Sequence, residues 1–94
     1  MVKYVVPMDK DKELRKLFDP AYLKDKVEKC VEEVKVGQTK VLVNRCVKSS
    51  VQINLAVVPP VQYLVYDVDP ELDKYFQSNK EDPLIKELLK YRVG

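Results

Sequence analysis

Ninety-four residues, 46 % apolar and 34 % charged, suit one modest folded domain over residues 1–94 and are too few for two. The net charge of +2 is too small to dictate a partner, and no apolar run approaches the ~20 residues a membrane helix needs. Histidine is absent and glycine occurs only at positions 37 and 94, which excludes Ser-His-Asp triads, Cys-His pairs and glycine-rich phosphate cradles, so no cofactor is expected.

The chain opens with Val2-Lys3-Tyr4-Val5-Val6, a short strand pattern whose apolar run is too brief for a secretory signal, so a cytoplasmic location is expected. Leu14, Leu17 and Phe18 then recur at helical spacing and predict a short helix over about 9–17. Three Asp-Pro pairs follow along the chain: Asp19-Pro20, Asp69-Pro70 and Asp82-Pro83. Aspartate accepts hydrogen bonds from the first free N–H groups of a helix, and proline fits the first helical position, where its missing donor costs nothing. Each pair therefore predicts a helix start. After Asp19, the positions Leu23, Val27, Cys30, Val31 and Val34 form one helical stripe, with Gly37 as its left-handed C-terminal cap.

From Thr39 to Val68 the period changes to two. Val41, Val43, Arg45 and Val47 alternate with Leu42, Asn44, Cys46 and Lys48, and Val51, Ile53, Leu55 and Val57 alternate with Gln52, Asn54, Ala56 and Val58. Lys48-Ser49-Ser50 reads as the connection between these strands, and residues 61–68 supply another. Pro59-Pro60 interrupts pairing between the last two, as a hairpin turn or a strand kink, with the turn favoured. Two helices follow, with Leu72, Tyr75 and Phe76 on one and Leu84, Ile85, Leu88 and Leu89 on the other. The order β-α-α-β-β-β-α-α predicts an α+β domain: a mostly antiparallel sheet of about four strands, with helices packed mainly on one face.

Three constellations could carry function. Residues 35–66 hold Lys35, Lys40, Arg45 and Lys48 and no acid. With the odd-numbered valines turned to the helices, the second sheet face combines Lys40 and Lys48 with Leu42, Asn44, Cys46, Gln52, Asn54, Ala56, Gln62, Leu64 and Tyr66. A half-apolar sheet face commonly meets a partner. The first expectation is a non-enzymatic module that forms a homodimer through Leu42, Cys46, Asn54, Ala56 and Leu64. The alternative is a nucleic-acid interface, with Lys40, Arg45 and Lys48 on phosphates, Asn44 and Gln52 on bases or sugars, and Tyr63 or Tyr66 stacking. A third reading places a divalent-metal enzyme at the acidic cluster Asp67, Asp69, Glu71 and Asp73, whose simpler account is helix capping and dipole compensation.

The two cysteines, Cys30 and Cys46, cannot form a tetrahedral zinc site without histidine. They stay free in a reducing cytosol or pair as a disulfide, as in hyperthermophile proteins. Seventeen valines, abundant Lys and Glu, and few Asn and Gln give the chain a thermophile-like composition.

Overall fold

The computed structural model describes all residues 1–94. Helices and antiparallel strands are mixed as expected for an α+β chain, but the strands number five and divide between two sheets. β1 (Val2–Pro7), β5 (Val61–Val68) and β4 (Val47–Asn54) form a three-stranded sheet in the order β1-β5-β4. β2 (Val31–Val36) and β3 (Thr39–Asn44) form a separate hairpin.

Alternation decides what the larger sheet buries. Tyr4 stands opposite Tyr66, Val6 opposite Leu64 and Val2 opposite Val68, so these side chains share one face. That face is covered by four short helices: α1 (Met8–Leu14), α2 (Pro20–Leu23), α3 (Pro70–Ser78) and α4 (Pro83–Leu89), with 3-10 turns over Arg15–Phe18 and Glu28–Cys30. Leu14, Leu17, Phe18, Leu23, Leu72, Phe76, Ile85 and Leu88 join Tyr4, Val6, Tyr66 and Val68 in the principal core cluster. Phe18 stacks on Tyr66 at 4.2 Å between ring centroids and meets Phe76 edge-on at 5.6 Å.

All three Asp-Pro pairs start helices. Asp19 accepts from the Ala21 N–H, Asp69 from the Glu71 N–H and Asp82 from the Leu84 N–H, at 2.9, 3.0 and 2.9 Å. Each cap satisfies a donor that would otherwise lack a partner and contributes about 1 kcal/mol.

The long helix expected after Asp19 does not form. It stops after one turn at Leu23, and Val31–Val36 turn extended. The stripe had helical spacing, but three of the six residues in Val31–Val36 are valines, which pack well in strands, and Thr39–Asn44 supplies an antiparallel partner. Gly37, read as a helix cap, instead takes φ +62° in the two-residue Gly37-Gln38 turn of that hairpin. No non-glycine residue has positive φ, so the turn follows the II′ pattern, with glycine at its first position. Lys48-Ser49-Ser50 is likewise strand, and the connection lies at Arg45-Cys46. Pro59-Pro60 does lie in a hairpin turn, between β4 and β5, with a cis Val58-Pro59 bond.

Cys30 and Cys46 form a disulfide that closes the base of the β2–β3 hairpin. The Arg45 N–H donates to the Cys30 carbonyl at 2.7 Å, and the Asp69 N–H to the Cys46 carbonyl at 2.7 Å. The Asn44 side chain donates to the Phe18 carbonyl and accepts from the Cys46 N–H, both at 2.8 Å. The two legs of the small hairpin are thus joined by one covalent link, and short polar contacts at its root tie it to Phe18 and Asp69.

Two buried carboxylates pin helices to the sheet. The Tyr4 hydroxyl donates to Asp73 of α3, which also accepts two bonds from Arg92, at 2.9 and 3.0 Å, and one from Gln77 at 2.7 Å. Directly across the ladder from Tyr4, the Tyr66 hydroxyl donates to Asp11 of α1, itself held by Arg15 at 2.8 Å. Burial, then the bond and charge of Asp73, pushes the Tyr4 phenol well above its ordinary range, and burial, then the bond and charge of Asp11, does the same to Tyr66. Burial alone would raise the Asp73 carboxyl. Bonds from Arg92, Tyr4 and Gln77, with the Arg92 charge, hold it below its ordinary value instead.

Candidate association surface

The helices cover only the proximal half of the large sheet. On β4, Val51 and Ile53 lie on the helix side, opposite Leu64 and Gln62, yet remain 57 % and 51 % exposed. Leu55, Val57 and Val58, in the connection that follows, are also exposed. Seven of the eight β4 residues are exposed, and only Val47 is partly covered. The apolar face therefore runs out from under its helices onto an uncovered hairpin tip.

The two edges of this sheet differ. At β1, the C-terminal segment lies along the strand: the Val5 N–H donates to the Tyr91 carbonyl at 2.9 Å, and the Val93 N–H to the Lys3 carbonyl at 2.8 Å. β4 has no strand on its other side. Open edges are normally guarded by charge or proline. Here Lys48 is the only charged residue of β4, and the eighteen residues from Ser49 to Tyr66 carry no charge at all in a chain that is 34 % charged. Within the acid-free segment 35–66, this narrower and wholly uncharged run is the sequence signal that marks the surface.

Size points the same way. A compact chain of 10.9 kDa exposes about 5,600 Å² by monomer scaling, whereas this one exposes 6575 Å². Its radius of gyration is 14.3 Å, against roughly 12.4 Å for a globule of this length. The surplus, roughly 1,000 Å², reflects an open shape to which both exposed hairpins contribute.

The single mixed face expected from the sequence does not assemble. Lys40, Leu42 and Asn44 lie on one face of the β2–β3 hairpin, while Lys48, Gln52 and Asn54 lie on the helix-free face of the large sheet with Tyr63. Leu64 and Tyr66 occupy the opposite, helix-covered side. Cys46 is buried in the disulfide and unavailable to a partner or as a reactive thiol. Ala56 is exposed in the connection, with its N–H bonded to the Asn54 side chain. The valines taken as core are among the exposed ones: Val41 and Val43 share an open hairpin face with Val34 and Val36.

Two of the four cations of the basic segment, Lys40 and Arg45, are held in ion pairs with β2. Lys40 pairs with Glu33 at 3.3 Å, Arg45 pairs with Glu32, and Lys48 stands opposite Asp67 on β5. Tyr66 is buried against Phe18 and cannot stack on a base, and the Asn44 amide is committed to Phe18 and Cys46. The acids at 67–73 diverge: Asp69 caps α3, Asp73 is buried under Tyr4 and Arg92, and no three potential ligands converge on a metal position. A surface depression between α2 and the β2–β3 hairpin is lined mainly by charged side chains, among them Lys24, Asp25, Glu28 and Glu33. No helix is long and apolar enough to cross a membrane.

No protein-family model matches this chain, and no curated protein or solved structure shows significant similarity to it.

Proposed function

We propose that the chain is a non-enzymatic association module that forms a homodimer through the exposed end of its three-stranded sheet. The observation that carries this reading is the uncharged run Ser49–Tyr66 of the β4–β5 hairpin, with apolar side chains exposed at Val51, Ile53 and Leu55. Water is a poor neighbour for such a surface, and burying it releases roughly 25 cal/mol per Å² of apolar area. A second copy offers the same uncharged chemistry by symmetry. The interface residues are accordingly revised from the sequence-based set. Asn54, Ala56 and Leu64 remain next to the patch, Val51, Ile53 and Leu55 become its centre, and Leu42 and Cys46 leave it. A cytoplasmic location is compatible with the disulfide in a hyperthermophile interior, and an oxidising compartment accommodates it generally.

Light-scattering mass measured across concentration tests the reading. The expected result is twice the chain mass of 10.9 kDa at micromolar concentration. A Val51→Lys/Ile53→Lys double variant, altered only at exposed positions, should return to one chain mass with an unchanged circular dichroism spectrum. A monomer at the highest soluble concentration overturns the proposal.

A further inference from the structure

We infer that the two copies join by pairing β4 with β4 of the second copy, antiparallel across a two-fold axis at Gln52, which makes one continuous six-stranded sheet. This inference rests on the self-association proposed above and specifies its geometry. Three observations carry it. β4 is an open edge, whereas β1 is occupied by the chain's own residues 91–93. The open edge carries neither proline nor charge between Ser49 and Asn54, the usual guards against strand addition. The apolar side chains at the middle of that edge, Val51 and Ile53, are 57 % and 51 % exposed.

The register follows from which side chains meet. A two-fold axis perpendicular to the sheet keeps each face on its own side, so residues of like parity pair. Centring on Gln52 sets Val51 opposite the second copy's Ile53, and Ile53 opposite its Val51, with Ser50 and Asn54 opposite each other on the reverse side. Both apolar side chains then meet apolar partners, and all pairing from Ser50 to Asn54 stays within regular strand. Centring on Val51 would place Ile53 against Ser49. Centring on Ile53 would require pairing with Leu55, beyond the end of β4. The chosen register also separates the two Lys48 side chains by eight residue steps, roughly 27 Å, so their charges do not oppose each other. The helical layers of both copies fall on the same side of the joined sheet, with Val51, Ile53 and Leu64 of each copy filling the strip between them.

Hydrogen exchange on the unaltered protein tests the pairing. The β4 amides that point away from β5 should exchange at least tenfold more slowly when the concentration rises from the monomer to the dimer range. A single cysteine tests the register: Gln52→Cys should form a covalent dimer under mild oxidation, because directly opposed strand residues lie within disulfide reach. Lys48→Cys should not. If light scattering finds only monomer, the association reading fails and this geometry with it. If it finds a dimer whose outward β4 amides exchange independently of concentration, self-association stands and strand pairing is overturned. Protected amides with coupling at Val51→Cys instead of Gln52→Cys overturn the Gln52 axis.

Discussion

Removing the Cys30–Cys46 disulfide should cost about 3 kcal/mol. The link joins residues sixteen apart and encloses the whole β2–β3 hairpin. Closing a loop of that length in the unfolded chain removes conformational entropy worth ~3 kcal/mol at room temperature. That is a large share of the ~5–15 kcal/mol by which a domain is stable. At roughly 4–8 °C per kcal/mol for a domain of this size, the melting midpoint should fall by about 12–24 °C. Urea unfolding followed by circular dichroism, with and without a phosphine reductant, measures the difference, and a Cys30→Ala/Cys46→Ala variant should agree within the small cost of lost packing. The reduced native state should keep its β1-β5-β4 sheet, whose ladders do not pass through the link. The slope of stability against urea should rise as the unlinked chain exposes more surface. A loss below about 1 kcal/mol would refute the loop-entropy reasoning.

Other consequences can be checked alongside. The Asp73 carboxyl is held below its ordinary value in the fold, so the stability it supplies is present above about pH 4 and is lost as pH falls through the lowered folded value. Melting midpoints should decline on acidification, and Asp73→Asn should be less stable at neutral pH with a flatter acid limb. A variant with the same acid slope as the parent would remove Asp73 as the cause. The Tyr4 and Tyr66 phenols are raised, so the stability tied to their protons is present below about pH 10 and is lost as pH rises toward the folded values. Their phenolate absorbance should therefore appear together with loss of ellipticity, and its completion in a fully folded protein would contradict the burial argument. Tyr66→Phe leaves the buried Asp11 carboxylate without one donor and should cost about 1–3 kcal/mol in urea. Asp69→Ala and Asp82→Ala should each cost about 1 kcal/mol through the lost cap, a value that replacement by glycine would reduce to a few tenths.

The parts of the fold that could be read in advance are those where local chemistry and tertiary context agree. Asp-Pro pairs set helix starts through groups only two residues apart, so all three were legible. The alternation of β1 survived because that strand has one buried face, while β5, the central strand, was legible as an apolar run that buries Val65 on one face and Tyr66 on the other. Residues 27–37 were misread because Val27, Cys30, Val31 and Val34 satisfy helical spacing by coincidence, and their true partner, Thr39–Asn44, is supplied from across a turn. Glycine at 37 suits a helix end and a II′ turn equally, since both need positive φ. The site was harder. Binary patterning assigns alternate valines to a core, and on β4 it chose the correct side of the sheet. It could not foresee that the helices are too short to reach Val51 and Ile53. The ion pairs of Lys40 and Arg45 were equally hidden, because Glu32 and Glu33 had been placed on a helix instead of the neighbouring strand.

The tail that lies along β1 has a consequence for how far any assembly can grow. With that margin occupied by residues 91–93, the three-stranded sheet has a single open edge to receive a neighbouring strand, and two molecules that meet there use it up. In the proposed pairing, growth through this sheet would end in a closed pair instead of a fibre. Deleting the last few residues would bare the second margin, and the same chain would then have what it needs to build filaments.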